Sequence, residues 1–577
     1  MINIKEDVKL NQLNHSCAHV LAQAVKHLYP QAKFWVGPVI SEGFYYDIDL
    51  GDEVLKEEDL STIEREMKKI CKDGKRITRE ELSKEEALKL FQDDEYKVDL
   101  IKNMDENEQI ISCYKQGDFI DLCRGPHQET VKDCRYFKLL KVSGAYWKGD
   151  ADNKMLQRVY GICFFDEESL NDHLFLLEEA KKRDHKKLGR ELELFMFSEY
   201  GPGFPFWLPN GMVLRRTLED FWYQIHKREG YEFIQTPIML SKELWEVSGH
   251  WDNYNDNMYT STIDERHFAI KPMNCPGGIL IYKNSLHSYR ELPWRLAELG
   301  LVHRHEASGA LNGLFRVRNF TQDDAHLFMT KDQIEDEVIR LINFIDEFYG
   351  VFSLEYKIEL STMPEKHIGD RDVWEKSENT LAKACKNAGK EFTINEGDGA
   401  FYGPKLDFHI TDSLGRVWQC GTIQLDMNLP ERFEMEYITA DGNRERPIMI
   451  HRVIFGSLER FIGIIIEHFG GVFPLWLAPV QLMLIPVLPA NNLAYTINIK
   501  DQLEYLGYRV VMDDRNEKLG YRMREAQIKK IPIQLVLGDK EESNNEVNVR
   551  WHGSDENVNM KFEELLDILK EKIDKKS

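Results

Sequence analysis

Residues 301–328 read LVHRHEASGALNGLFRVRNFTQDDAHLF. The pattern predicts a hairpin with a long loop: a short strand ending at Arg304–Glu306, a Ser/Gly/Asn loop, then a second strand from Leu314 to Phe328. Arg316 and Arg318 alternate with Val317, so both arginines should share one face. Such a face is too charged for a core, because charged groups are rarely buried unless paired. Together with Arg304 it suits a triphosphate, since guanidinium forks match phosphate oxygens and stay protonated. A solvated, salt-bridged hairpin fits the same spacing.

The totals set the frame. A chain of 577 residues implies several domains with ample core. Its net charge of −23 is unusual for a nucleic-acid binder, yet local basic faces decide such binding. Nine cysteines without a pairwise pattern point to a reducing compartment. The opening MINIKEDVKL is polar and is no signal peptide. The most apolar region, Phe461 to Leu488, is broken by Glu467, His468, glycines and prolines, and reads as helix, loop and strand rather than a membrane span. Neither GxGxxG nor GxxxxGK[ST] occurs, so phosphate chemistry should not sit on a Rossmann or P-loop scaffold.

In the first 183 residues Asn14 is a candidate cap for a helix from His15 to Leu28, with Ala18, Leu21, Val25 and Leu28 as its buried stripe. His15 and His19 are four apart and share a face. Cys123 and His127 in DLCRGPH have the same separation. HxxxH plus CxxxH is the donor set of a zinc or hydrolytic site, although two unrelated pairs would look the same. Residues 166–190 read as one amphipathic connecting helix.

Beyond it, Tyr231 to Leu240 predicts a strand, followed by a helix toward Trp245. Further strands are expected at 354–360, 405–410, 417–425 and 433–439, with Asp441–Gly442 as a hairpin turn. The set implies an antiparallel sheet flanked by helices. The last hundred residues alternate strand and helix in βαβαβ order, which argues a small, mainly parallel sheet with a basic helix from Lys518 to Lys530.

The 301–328 stretch resembles motif 2 of class II aminoacyl-tRNA synthetases, and in detail the threonyl-tRNA synthetase family. HRVIFGSLERFIGIIIE at 451–467 resembles motif 3, and the 231–254 region resembles motif 1, which in that class lies at a homodimer interface. HSCAHVLAQAV, WVGPVISEGFYYD, DLCRGPH, GAYWKGD and NKMLQRVYG resemble the family's editing domain. DDRNEKLGYRMREAQIKK resembles its anticodon-binding domain. The implied fold is α+β and multidomain: an α+β editing domain at 1–183, a class II catalytic domain at 184–478 and an α/β anticodon-binding domain at 479–577.

The resemblance also implies roles. Arg304 should hold the ATP α-phosphate, Glu306 the adenine amino group and Arg316 the γ-phosphate, with Phe320 stacked on the ring and Arg460 completing the site. Mg²⁺ should accompany ATP. His250 is a candidate base for transfer to the tRNA ribose. Cys275, His326 and His451 are too far apart in sequence for spacing to join them; the resemblance makes them the ligands of one Zn²⁺ that selects threonine. Asp324 should accept the threonine hydroxyl's hydrogen bond, while Gln322, Tyr402, Lys405, Gln419, Thr422 and Gln424 match pocket positions. His15, His19, Lys97, Asp121, Cys123 and His127 should form the pocket that hydrolyses Ser-tRNA(Thr). Alanyl editing domains hold zinc with this constellation; for the threonyl type a water-based site is expected. Asn516, Glu541 and Arg550 should read the anticodon of tRNA(Thr).

The implied enzyme is cytoplasmic, with no membrane partner. There are departures from the family pattern. Only the polar stretch 1–13 precedes the editing helix, where the family carries a ubiquitin-like domain, so the sequence is naturally short or a piece of a longer one. His305 and Asn312 stand where asparagine and histidine are frequent, which puts acceptor-stem contacts in doubt.

Overall fold

The computed structural model describes residues 2–104, 110–150 and 152–577. These divide into two compact units, residues 1–179 and 180–577. Met1 of the leading stretch lies outside the described residues.

The first unit is built on helix α1, Val8–Leu28. It starts about two turns before the expected His15, because Asp7 caps it: the Asp7 carboxylate accepts from Lys9 N at 3.0 Å and Leu10 N at 2.9 Å. Asn14 is therefore no cap. It is fully buried mid-helix, donates to Leu10 O and Cys163 O, and accepts from Cys163 N, all at 2.9 Å. This side chain sews the helix to the strand Met155–Phe164. The expected apolar stripe is too narrow, since Cys17, Val20, Ala22 and Ala24 are fully buried as well. A five-stranded antiparallel sheet, including Gly43–Asp49, Tyr136–Tyr146 and Met155–Phe164, supplies the other side of that core. A smaller three-stranded sheet carries Ile77–Ser83, Ile110–Gln116 and Phe119–Leu122.

The second unit centres on an eight-stranded sheet. Its strands in chain order are β1 (Glu232–Phe233), β2 (Trp294–His303), β3 (Asn319–Met329), β4 (Glu355–Ser361), β5 (Phe392–Asn395), β6 (Lys405–Thr411), β7 (Val417–Asp426) and β8 (Ile448–Val453). In space they run β1-β2-β3-β8-β7-β6-β4-β5, antiparallel except for the two edge pairs. Helix α3, Leu458–His468, is buried nearly all round, with Phe461, Ile462, Ile464, Ile465 and Ile466 fully inaccessible. Truncating one of those isoleucines to alanine is expected to cost about 2–5 kcal/mol.

Several local expectations are corrected. The motif-2 strand begins at Asn319 rather than Leu314; residues 312–318 form a turn pinned by Arg318 N donating to Gly203 O at 2.7 Å. Arg316 and Arg318 therefore do not share a strand face. Arg318 is 9% exposed and donates to the carbonyls of Glu306 and Pro202, whereas Arg316 stays in the open. The 166–190 helix breaks at Asp184, which caps a second helix, α2, His185–Glu191. The 231–240 strand is two short pieces, Glu232–Phe233 and Met239–Ser241. Of 433–439 only Tyr437–Ile438 is strand, because Phe433 closes a helical turn.

The C-terminal sheet is mixed. Val510–Met512, Leu482–Pro486 and Ile533–Leu537 are parallel as expected, but Glu546–Trp551 and Asn557–Lys561 add two antiparallel strands. Their polar alternation carries little apolar signal. No helix among the described residues is long and apolar enough to cross a membrane.

Candidate active site

Strand register assembles what sequence distance scatters. His326 on β3 lies directly opposite His451 on β8, and His451 lies opposite Gln424 on β7. Cys275 arrives at the N-terminus of the helix Cys275–Tyr282. The Cys275, His326 and His451 donor atoms all lie within 4.8 Å of one another, and all three residues are buried. His326 Nε2 is buried and has no hydrogen-bond partner among the described residues. His451 Nε2 meets Asp426 Oδ2 at 2.8 Å, which fixes the ring and leaves Nδ1 for an ion. This donor set fits a tetrahedral metal with an open fourth place. Burial pulls the His326 pKa down to about 4, so the ring is neutral and able to ligate.

The residues two and four before His326 on β3 point the same way. Asp324 and Gln322 accordingly line a cavity of about 190 Å³ with Cys275, His451, Tyr402 and Gln424. Asp324 Oδ2 accepts from Asn274 Nδ2 at 3.0 Å. Asp323, on the opposite face, is fully buried and accepts from Ile454 N and Gly456 N, tying β3 to the turn before α3. Gly456 has φ +78°, and a Cβ there would sit 2.7 Å from Cys420 O, so that turn requires glycine.

A second cavity of about 440 Å³ is lined by Arg304, Glu306, Arg316, Phe320, Gln419 and Arg460. Arg304, Gln322, Thr422 and Val453 line both cavities, so the two adjoin. Arg304 donates to Pro272 O at 3.2 Å, and its guanidinium lies 5.1 Å from the Phe320 ring. Arg316 Nε meets Glu306 Oε2 at 3.0 Å with the arginine 58% exposed. Arg460 Nε is buried without a partner among the described residues, and its guanidinium sits 5.9 Å from Trp418.

Sequence reading missed Asp407, which is 1% exposed on β6. Its carboxylate accepts from Gln419 Nε2 at 2.7 Å, Thr422 Oγ1 at 2.9 Å and Ser361 Oγ at 2.8 Å, and pairs with Lys405 Nζ at 2.8 Å. Three expected pocket residues are thus organised by one carboxylate. The alternation Lys405–Asp407–His409 placed it on the same face as Lys405, which was the available signal. Asp426 was missed too, although it lies two residues after Gln424 on β7 and so shares that residue's face. His250 is fully buried, with Nδ1 on Ser248 Oγ at 2.8 Å and Nε2 on Met273 Sδ at 3.0 Å; burial lowers its pKa to about 3.

In the first unit, all six expected residues gather in one polar cluster. Cys123 Sγ lies 3.2 Å from His15 Nε2 and 3.1 Å from His127 Nε2. His15 Nδ1 is 3.2 Å from Pro126 O, and His127 Nδ1 is 3.2 Å from Ser16 Oγ. His19 Nε2 lies 3.9 Å from Asp121, and Lys97 Nζ lies 2.6 Å from Asp121 Oδ1 with both side chains nearly inaccessible. Tyr46, unassigned by the sequence, donates to Asp121 and accepts from Lys97 at 3.1 Å. Burial holds His15, His19 and His127 below the ordinary histidine pKa and pushes the Cys123 thiol up to about 11. The cluster is neutral imidazole and thiol over a buried lysine–aspartate pair.

In the C-terminal sheet, Asn516 and Glu541 follow the C-terminal ends of parallel strands and share one edge. Arg550 pairs with Gln534, three residues back from that edge, or about 10 Å along the strand. Glu541 accepts from Gly538 N at 3.0 Å, and Arg550 pairs with Asp555 at 2.8 Å. The basic helix is less available than expected: Arg522 is 1% exposed and donates to Asp513 O and Val487 O, and Arg515 is held by Asp513 and Glu525.

Comparison with known proteins agrees with this geometry. The family "tRNA synthetase class II core domain (G, H, P, S and T)" matches residues 259–469, "Anticodon binding domain" matches 481–572, and "Threonyl and Alanyl tRNA synthetase second additional domain" matches 111–160. A threonine–tRNA ligase of Fusobacterium nucleatum is 57% identical over 562 residues, covering 96% of this chain and 89% of the relative. One from Acetivibrio thermocellus is 55% identical over 564 residues, covering 97% and 88%. Among solved structures, the RNA binding domain of threonyl-tRNA synthetase from Cryptosporidium parvum Iowa II superposes with a TM-score of 0.65 at 39% identity, covering 67% of this chain and 98% of that one. Identity of this height over nearly the whole chain places it in the threonine–tRNA ligase family.

Proposed function

We propose that this chain activates L-threonine with ATP as threonyl-adenylate, transfers it to tRNA(Thr), and hydrolyses Ser-tRNA(Thr) in its first unit. The observation that carries the reading is the pair of adjoining cavities: a small one walled by metal donors and Asp324, opening beside a larger one walled by arginines. Threonine in the first would hold its carboxylate toward Arg304, at the entrance to the second. Arg304, Arg316 and Arg460 then spread positive charge along the triphosphate, with Mg²⁺ accompanying it, while the carboxylate attacks the α-phosphorus in line and the bond to the α–β bridging oxygen breaks, releasing pyrophosphate.

Phe320 and Glu306 take the adenine. Glu306 holds Arg316 in this structure, so nucleotide binding exchanges that ion pair for the base and the γ-phosphate. Cys275, His326 and His451 would hold Zn²⁺, which supplies a Lewis acid for the amino group and hydroxyl of threonine. Asp324 accepts the hydroxyl proton's hydrogen bond, and Asp407 positions Lys405, Gln419 and Thr422. His250 serves transfer to the ribose only once Met273 withdraws from its Nε2.

Magnitudes explain two sites. An apolar pocket separates valine from threonine by only about 10²-fold, and the methyl that serine lacks is worth about 1–3 kcal/mol. A site demanding a hydroxyl rejects valine but lets serine through, so hydrolysis elsewhere is required. The histidines and Cys123, neutral and partly hydrogen-bonded to one another, suit holding and orienting a water for attack. Asn516, Glu541 and Arg550 read the anticodon. The domain borders 183/184 and 478/479 follow these roles. Homodimer formation is supported by Phe206, Met212, Tyr223, Phe233, Ile238 and Met239, all large and exposed around motif 1. A role in translation and the bacterial relatives support a cytoplasmic location.

The test is amino-acid-dependent ATP–pyrophosphate exchange on metal-analysed protein. Strong exchange with threonine, weaker with serine and negligible with valine is expected. No exchange with any of them, in folded metal-loaded protein, would overturn the reading.

A further inference from the structure

His185 opens α2, far in sequence from both synthetase motifs, yet it touches each. Its ring is 1% exposed. Nδ1 donates to Glu467 Oε1 at 2.6 Å, near the end of α3, and the His185 backbone N–H donates to the same oxygen at 2.9 Å. Nε2 accepts from the backbone N–H of Leu314 at 3.0 Å, in the turn that carries Arg316. Those partners leave a single tautomer, with the proton on Nδ1. The ring lies 4.0 Å from Phe315, Phe315 lies 4.4 Å from Trp418, and Arg460 sits over Trp418.

Asp184, His185 and Glu467 have donor atoms close enough for an ion. Both ring nitrogens and Glu467 Oε1 are already committed, however, and Arg416 pairs with Glu467 Oε2 at 2.5 Å. A metal would break bonds already made. The turn is also built around the ring: Gly313 has φ +50°, and a Cβ there would lie 2.1 Å from His185 Nε2.

We propose that His185 is a positioning residue for the nucleotide, a clamp that ties the Arg316 turn to the end of the Arg460 helix and so fixes the spacing of the two arginines across the triphosphate. The proposal rests on the ATP-site reading above. Residues 312–318 are outside any strand, so the sheet does not hold this turn; Arg318 N on Gly203 O and Lys186 Nζ on Asn312 Oδ1 tie its ends, and the Leu314 N–H bond and the Phe315 contact to His185 tie its middle. Misplacing a binding group by about 1 Å can cost on the order of 10²-fold in rate.

The experiment is pyrophosphate exchange on the whole enzyme with His185→Ala, His185→Gln and His185→Asn, titrating ATP and threonine separately. Glutamine can place an acceptor where Nε2 stood, and asparagine can place only a donor where Nδ1 stood. In His185→Ala the KM for ATP should rise about tenfold or more while that for threonine stays within about twofold. His185→Gln should recover most of the loss and His185→Asn little. A merely structural role would shift both KM values together and give no such ranking.

Should His185→Ala fail to fold, Gly313→Ala pushes the turn off the ring while leaving the His185–Glu467 bond, and the same selective rise in KM for ATP is expected. An unchanged KM for ATP in a folded variant of either residue overturns the proposal. Arg316→Ala and Arg460→Ala are run alongside. If they too leave the KM for ATP unchanged, the ATP-site reading itself fails, which separates the two failures.

Discussion

Two clusters in this molecule use the same donors, histidine and cysteine, to opposite ends. Around Cys275 the donors are largely open: His326 Nε2 has no hydrogen-bond partner among the described residues, with Asp324 Oδ1 3.7 Å away, and the Cys275 sulfur meets His250 Nε2 only at 4.0 Å. Around Cys123 most donors satisfy one another: the sulfur lies 3.1–3.2 Å from two histidine nitrogens, while His19 Nδ1 is buried with no hydrogen-bond partner among the described residues. A buried polar atom without a partner costs about 1–3 kcal/mol, a cost that an ion bound at the first cluster would relieve. The second has one such atom, His19 Nδ1, but its sulfur is already engaged by two histidines. The difference teaches that the same donor types can be engaged to different extents, and that the hydrogen bonds already made, rather than residue identity, set how much is free to ligate.

The largest expected effect tests the open cluster. Cys275→Ala should lower threonine-dependent exchange by about 10³-fold or more, equivalent to about 4 kcal/mol, and strip the bound metal. Hydrolysis of Ser-tRNA(Thr) by the same variant should be unaltered, and loss of both activities would break the comparison. Next comes the closed cluster. His127→Ala should slow Ser-tRNA(Thr) hydrolysis by about 10²–10⁴-fold while exchange and metal content hold steady. A fall in metal content would mean that the Cys123 cluster binds metal too.

A subtler handle on the open cluster is Asp426, which orients His451 at 2.8 Å. Asp426→Asn should weaken metal binding about 10–100-fold, read by competition with a chromophoric chelator, whereas an unchanged affinity would show that the contact is incidental.

The smallest effect is on pH. His15, His19 and His127 have folded pKa values lowered by burial, so the unfolded state binds more protons as pH falls through about 6.5. Their contribution to stability is complete above that pH and declines below it. The slope approaches about 1.4 kcal/mol per pH unit for fully buried His19. Hydrogen exchange along α1 in the intact enzyme, measured between pH 7 and 5, should show protection falling with pH; flat protection would refute the buried, neutral histidines.

Much of this was legible in the sequence. Residues four apart on a helix must share a face, which placed His15 beside His19, and the resemblance joined Gln322, Asp324 and His326, whose alternate spacing along one strand agrees with a shared face. The β6 and β7 strands fell within a residue of expectation. The motif-2 turn did not, because Arg316–Arg318 alternates like a strand while the chain there is held by Gly203 O and His185 rather than by a neighbouring strand. Asn14 looked like a cap, since nothing local reveals a partner 149 residues away at Cys163.

The sequence by itself determined the local periods, the residue types and the resemblance that joined them. Only the tertiary structure decided that His326 faces His451, that Asp407 gathers three pocket side chains, that Asp426 orients a ligand, and that Arg522 is buried support rather than an RNA-facing charge. The reason is physical. Periodicity fixes which way a side chain points along its own element, but hydrogen-bond partners and burial are set by register between strands far apart in the chain, and no local pattern encodes that register.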